Sequence, residues 1–556
     1  VTRLAEQPVL CLDAQATAAH ASGGALVEIG WGPGTAGTAL TETGVAAHVV
    51  APPPGTAMPR AVARLTGIRQ DEWERGVLPG TVWPRLVADA LALCPRPVPA
   101  VVHFVRFEEP FLRALHSRHG SGPFPFELLC THAIARRLLP GLPRRTLRAL
   151  AGYFGAGVAE PRRSTDHVVA TAFVWRRLVE ALEGEGIVEL PALRAWLACA
   201  PPRRPPRSYP LPRERRLELP RGPGVYRLHR AGGGVVYVGK AVSLRERVSS
   251  HFHAPDGERA LEMLSQVREV TCTETATALE AALLESDEIK RLSPPYNRAL
   301  AVAGRAVWFA TADLRDLRGS PDEQHTVGPL ASAEPFDSLA ALRGALAAEV
   351  PAPLLVRARA VGAAPAFAPG PEPFAAGLVR FAEAHGRLAS ALEVRRVGAR
   401  LWASRRDAAP VEVEAGEREG PRSFSWDGET VRGALEETVL RAAHAVRRAR
   451  WLLRLSECTL AWLGSGMPGR RLLCCAGGVV TAVGYLDPGE GLPLPPGAAC
   501  AQDARRAAFD VATFDRLRVL TTELRRLAAG ASSVEMRLGA HARLTGRRLE
   551  AVLRWV

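Results

Sequence analysis

Short apolar runs and longer stretches of helical spacing alternate along the first third of the chain. VLCLD (9–13), ALVEIGW (25–31) and AVVHFV (100–105) read as strands. WPRLVADALAL (83–93), TLRALAGYFG (146–155) and HVVATAFVWRRLVEALEG (167–184) carry apolar residues three and four apart and read as helices. That alternation predicts an α/β domain over residues 1–185. Residues 186–216 form a linker, and PPRRPPRSYPLPRERR (201–216), with six prolines and six arginines, predicts a stiff, extended, basic spacer. A compact segment at 217–300 follows. Residues 301–556 mix apolar strands with long Ala/Arg/Leu helices, of which ALEETVLRAAHAVRRARWLLRLSECTLAWL (434–463) is one. At 556 residues the chain is too long for a single core, and three or four domains are expected.

The central segment is denser in chemistry. GVYRLH (224–229) and GVVYVG (234–239) are strand-like, and RAGG between them supplies turn residues. A symmetric four-residue loop at 230–233 would place Tyr226 directly opposite Tyr237 on one face. Ser243 and Glu246 fit a capping box that starts a helix on which Arg247 and His251 share a face. Thr277 and Glu280 fit a second, opening ALEAALLESDEIKRL (278–292). On that helix Glu285 stands beside Ala281 and Ala282, whose small side chains leave room for a substrate. The helix stops before Pro294–Pro295, and Tyr296–Asn297 follow. GVVYVGK (234–240) also fits a P-loop pattern, but Ala241 replaces the Ser/Thr and VVYV is a strand, so nucleotide binding is rejected.

Charge and composition sharpen this picture. The net charge of +14 favours a polyanionic partner, nucleic acid before membrane surface. Arginine is abundant, yet the chain has only two lysines, Lys240 and Lys290, and one asparagine, Asn297, all within 217–300. Lysine and asparagine do chemistry that arginine and aspartate cannot copy, which marks this segment as the active centre. No stretch approaches the length of a membrane span, nothing near the N-terminus resembles a signal peptide, and Val1 fits a GTG start codon read literally. Nine scattered cysteines, with Cys474–Cys475 the closest pair, lack metal spacing and read as free thiols in a reducing cytoplasm.

The residues GVY (224–226), YVG (237–239), KAVSLRERVSSHF (240–252) and LLESDEIKRLSPPYN (283–297) resemble the GIY-YIG nuclease family, nearest to the N-terminal domain of UvrC-type incision proteins. The resemblance implies a small α/β endonuclease domain over 217–300 with Tyr226, Tyr237, Lys240, Arg247, Glu285 and Asn297 as catalytic residues. Tyr237 would be the general base. Glu285 would bind one Mg²⁺ or Mn²⁺, and Lys240, Arg245, His251 and Lys290 would contact DNA. His251 stands where the family often has tyrosine.

Residues 1–185 resemble the DnaQ-like (DEDDh) exonucleases, which have an RNase H-like fold, through AVARLTGI (61–68), VVHFVRFEEPFL (101–112) and RRLLPGLPRRTLRALAGYFGAG (136–157). Asp13 matches the first acid of that family's site, but Gln15 holds the second acid's place and Glu108 the middle one's. Arg162 stands at the catalytic histidine and His167 at the last aspartate, beside Asp166. Neutral Gln and permanently charged Arg remove metal affinity and proton transfer together, so the resemblance implies a degenerate exonuclease used for DNA binding or docking. The expectation is a multidomain α/β DNA endonuclease of DNA repair, with excision-repair proteins as partners and no membrane. Two alternatives stay open: an active 3′–5′ exonuclease using Asp13, Glu108 and Asp166, and a non-catalytic DNA-binding adaptor.

Overall fold

Val9–Ala16 forms β1, the centre of a five-stranded sheet. A strand covered on both faces needs a nearly unbroken apolar run, and VLCLDA supplies it. The structure, a computed structural model, describes residues 2–157, 161–200, 205–301, 305–347, 371–386, 388–407, 427–463, 468–487, 489–530 and 533–556. The chain forms two compact units, residues 1–281 with 292–299 and residues 282–291 with 300–556.

In the first unit the strand order is β3 (Ala46–Val49), β2 (Leu26–Gly34), β1, β4 (Val98–Val102), β5 (Phe126–Cys130). The β3–β2–β1 pairs are antiparallel and the β1–β4–β5 pairs parallel, the order of an RNase H-like sheet. Side chains alternate across a strand, so Leu10, Leu12 and Ala14 enter one core with Trp31, Trp83 and Leu86. Val9 and Cys11 enter another with Val168, Trp175 and Leu178 of the helix Ser164–Gly184. Asp13 therefore faces that helix.

A second sheet of this unit has the order β7 (Val235–Ala241), β6 (Gly224–Arg230), β8 (Val267–Glu274). Its hairpin departs from the expected pairing. The Arg230 N–H donates to Gly234 O across a three-residue loop in which Gly232 and Gly233 have φ of 81° and 83°. A bulge between Leu228 and His229 then shifts the ladder, so Tyr226 lies opposite Gly239 and Leu228 opposite Tyr237. The offset is two residues, which preserves the face each side chain takes.

The proline-arginine segment is not a free spacer over its described part. Tyr209 packs edge-on against Phe252 at 5.0 Å, Arg216 lies 4.3 Å over the same ring, Leu211 is buried, and the Ser208 N–H donates to Gly141 O at 2.9 Å. Residues 201–204 lie outside the described residues.

The second unit holds the three-stranded sheet β9 (Trp308–Ala310), β10 (Leu317–Arg318), β11 (Val327–Leu330) and a helical layer around the helix Gly428–Leu455. It also holds an antiparallel sheet ordered β14 (Val479–Leu486), β13 (Arg470–Ala476), β12 (Cys458–Leu463), β15 (Ser533–Leu538), β16 (Ala542–Thr545). The run 434–463 is thus not one helix: the helix ends at Leu455, and CTLAWL becomes the sheet's central strand. Paired on both edges and buried, that strand favours its Thr and Trp over helix. No helix among the described residues is long and apolar enough to cross a membrane.

Lys290 does not serve as an outward DNA contact. Its side chain is 8% exposed and its Nζ lies 3.1 Å from Asp515, a fully buried carboxylate that also takes two 2.6 Å hydrogen bonds from Arg305. Burial alone would raise the Asp515 carboxyl; the Arg305 hydrogen bonds and the Lys290 charge hold it below its usual value. Next to it Arg516 donates to Asp287 at 2.9 Å. Asp515→Asn removes the buried carboxylate charge that faces both Lys290 and Arg305, so it should destabilise this unit by about 3–5 kcal/mol. Urea unfolding followed by tryptophan fluorescence checks it; an unchanged midpoint would show that the cluster contributes nothing.

Candidate active site

Three aromatic rings meet on one face of the β6–β7 hairpin. Tyr226 and Tyr237 lie diagonally across the ladder with ring centroids 6.1 Å apart, a spacing within reach of aromatic side chains. His251, from the helix Leu244–His253, sits 5.7 Å from Tyr226 and 5.8 Å from Tyr237. Gly239, opposite Tyr226, makes this possible: a Cβ there would fall 2.4 Å from the Tyr226 hydroxyl and 2.8 Å from the Tyr237 ring. The third residue of the YVG triplet is thus fixed by sterics.

Tyr226 is fully buried and its hydroxyl meets His251 Nε2 at 2.6 Å. Burial first, and then the Arg247 charge, depress His251 to a pKa of about 4. At neutral pH the imidazole is uncharged, so it shares a hydrogen bond with Tyr226 rather than carrying a charge toward DNA. Arg247 is exposed one turn earlier on the same helix. Arg245, expected at DNA, donates from Nε to Leu219 O at 2.8 Å and is half-buried. Ser243 occupies the N-cap position without forming the expected box; its hydroxyl is buried with no hydrogen-bond partner among the described residues. The second box does form in part, since Thr277 Oγ1 accepts from the Glu280 N–H at 3.3 Å and donates to the Glu280 carboxylate at 3.0 Å.

β7 is an edge strand, and an edge leaves backbone groups open. Asn297 closes it. Its Oδ1 accepts from Val238 N at 3.0 Å and its Nδ2 donates to Val238 O at 2.9 Å, while the Tyr296 N–H donates to Val236 O at 3.1 Å. Val238 lies between Tyr237 and Gly239, so the clamp fixes the segment that carries the second tyrosine; a carboxamide offers a separate N–H donor and C=O acceptor arranged as in a peptide group. Lys240 is half-buried on the same strand. Glu285 is half-buried on the helix Ala278–Leu292, with Ala281 and Ala282 fully buried, so those alanines serve close packing rather than an open space.

The N-terminal residues also converge. Asp13 Oδ2 accepts from Ser164 Oγ at 2.9 Å, and Asp13 Oδ1 lies 3.2 Å from His167 Nδ1. Burial opposes protonation of His167, but the charge and hydrogen bond of Asp13 outweigh it and raise its pKa to about 9. Glu108 is buried, and desolvation followed by the charge of Asp13 pushes its carboxyl well above the usual range. Gln15 Nε2 donates to Arg162 O at 3.0 Å, and its Oε1 has no partner among the described residues. Arg162 itself is exposed. Asp166 is spent on the helix start, accepting from the N–H groups of Arg162 and Arg163 at 3.0 and 3.1 Å. Glu28 escaped the sequence reading: buried opposite Gln15, it accepts from the Ser164 N–H at 2.7 Å and pairs with Arg163 at 2.6 Å. The signal was present as an acid inside the apolar run ALVEIGW.

With this geometry in hand, comparison places the chain among known proteins. The UvrC-like GIY-YIG domain profile matches residues 222–298. A Mycobacterium tuberculosis protein named as a bifunctional exonuclease/endonuclease is 33% identical over 253 residues, covering 44% of this chain and 38% of that protein. UvrABC system protein C of Nitrosomonas eutropha is 49% identical over 82 residues, 15% of this chain and 14% of that one. Among solved structures, the GIY-YIG N-terminal endonuclease domain of UvrC from Thermotoga maritima, bound to magnesium, matches with 32% identity and a TM-score of 0.15, covering 15% of this chain and 93% of that domain. The chain spans 38% of the length of the first relative and 14% of the second. Residues 222–298 are a UvrC-like GIY-YIG domain, in a chain whose similarity extends beyond that domain to an exonuclease/endonuclease protein.

Proposed function

We propose that the chain is a divalent-metal-dependent DNA endonuclease whose catalytic module is residues 217–300. The observation that supports it most is the meeting of Tyr226, Tyr237 and an uncharged His251, with Tyr226 hydrogen-bonded to His251 at 2.6 Å. Two phenols and a neutral imidazole form a proton-transfer group at neutral pH. In this reading Tyr237, aided by the Lys240 charge, takes a proton from the attacking water. Arg247 neutralises charge developing on the phosphate. Tyr226, backed by His251, holds the water or relays its proton.

Glu285 would hold the cation. Among the described residues no group of three or more His, Cys, Asp or Glu is placed to bind a metal. A single carboxylate suits Mg²⁺ or Mn²⁺, which keep most of their waters and take one or two protein carboxylates. When bound, such an ion polarises the scissile phosphate. DNA as substrate, repair as the setting, excision-repair proteins as partners and a cytoplasmic site of action belong to the same reading, supported by the UvrC-like match and the +14 charge.

Residues 1–185 are in this reading a degenerate exonuclease. His167, protonated up to about pH 9, supplies Asp13 with the positive charge it would otherwise take from a metal ion. The rescued site of Asp13, Glu108 and Asp166 is disfavoured because Asp166 caps a helix. These residues would retain DNA binding or docking.

A 5′-labelled duplex carrying a bulky adduct, incubated with Mg²⁺ or Mn²⁺, tests both halves. Glu285→Gln and Tyr237→Phe should each lower internal cleavage by about 10²-fold or more, while Asp13→Asn cuts as wild type. A ladder shrinking from the 3′ end and abolished by Asp13→Asn would sink this reading in favour of an exonuclease. Efficient cleavage by Glu285→Gln would remove the metal role of that residue.

The His167–Asp13 pair has its own signature. The folded-state pKa of His167 is above the unfolded 6.5, so its contribution is complete below about pH 6.5 and is lost as pH rises through 9. Thermal midpoints of wild type should fall over that window more steeply than those of His167→Gln. Parallel curves for the two proteins would mean that His167 is not protonated in the fold.

A further inference from the structure

The N-terminal domain reaches the Asn297 clamp through one buried cation. Arg148, on the helix Leu147–Tyr153, is 7% exposed, although arginine is rarely buried without partners. Its guanidinium lies 4.3 Å over the Tyr296 ring, donates from Nη2 to Pro295 O at 3.4 Å, and approaches Glu262 Oε1 at 3.7 Å. Glu262 accepts from the Tyr296 hydroxyl at 2.6 Å and from Thr146 Oγ1 at 2.8 Å, the latter also N-terminal. Gln266 Nε2 completes the group, donating to the Tyr296 hydroxyl at 2.5 Å. Burial, and then the Glu262 charge, push the Tyr296 phenol upward, so it stays a donor to Glu262. Gly152 adjoins this group: a Cβ there would lie 1.8 Å from Gln266 Oε1.

Tyr296 is the residue before Asn297, and its own N–H is tied to the bulged strand at Val236 O. Whatever fixes the ring of Tyr296 therefore fixes the path by which Asn297 grips Val238, beside Tyr237. We infer that Arg148 is a positioning residue: the exonuclease-like domain, through Arg148 and Tyr296, sets the Asn297 clamp and so the placement of Tyr237 in the GIY-YIG site. This rests on the nuclease reading for its catalytic consequence, and on geometry alone for the clamp.

Asparagine occurs once in the chain, so ¹⁵N-asparagine labelling of this 556-residue chain reports only on Asn297. Arg148→Ala should shift the Asn297 backbone and side-chain resonances. It should also lower kcat for cleavage of the adducted duplex with Mn²⁺ by about tenfold, since small misplacements of reacting groups are costly. KM for that DNA should stay unchanged, because a buried Arg148 does not touch it. Arg148→Lys, which keeps a charge beside Glu262, should restore part of kcat. Gly152→Ala, which alters no charge and displaces the Gln266 amide from Tyr296, should shift the same resonances and carries the test if Arg148→Ala does not fold. Unmoved Asn297 resonances in the folded variants overturn the inference, as does an unchanged kcat beside shifted resonances, or a loss confined to KM. An inactive Glu285→Gln beside an unaffected Arg148→Ala sinks the inference and leaves the nuclease reading intact. A wild type that does not cleave sinks the nuclease reading, and the resonances then decide alone whether Arg148 sets the clamp.

Discussion

The open edge of β7 is the constraint on which the site depends. That strand carries Tyr237, Gly239 and Lys240, has a partner strand on one side only, and loses a ladder position at the Val236 bulge. Backbone groups left open there would allow the strand to slip, and a one-residue slip would send Tyr237 to the opposite face from Tyr226. Tyr296 N–H and the Asn297 carboxamide take the place of a missing strand at Val236 and Val238. Aspartate cannot donate, and arginine cannot accept. A chain that uses asparagine once uses it where a side chain must imitate a peptide group.

Much of this was legible in the sequence because it depends on local spacing. Two strands with a glycine-rich turn, the convergence of Tyr226 and Tyr237, and a helix running from Thr277 to the residues before Pro294 all follow from periodicity and turn chemistry. The exact pairing did not follow. A three-residue loop plus a bulge moved the ladder by two positions, and nothing in RAGGG distinguishes that from a symmetric four-residue turn. Because the displacement was even, the faces survived it and the rings met diagonally, with Gly239 supplying the space.

Partners brought from distant sequence were not legible. Lys290 looks like a phosphate contact in isolation, yet Asp515 and Arg305 bury it. CTLAWL continues a helical pattern up to Ser456 and becomes a strand only because a sheet receives it on both edges. In each case the deciding interaction is tertiary, where local propensity is a weak prior.

In the N-terminal domain the packing of the sheet and the charges around Asp13 are set by different residues. The sheet still delivers Asp13 to the face of the helix Ser164–Gly184, because alternation along β1 is a packing requirement and not a catalytic one. His167 stands 3.2 Å from Asp13, Gln15 carries no charge, and Glu108 is buried with its carboxyl raised toward the neutral form. The same domain buries Arg148 against Tyr296, a contact that is independent of those acids and needs only the fold that presents the helix Leu147–Tyr153. The Asp13 face and the surface that grips the GIY-YIG domain are thus served by separate residues of one fold.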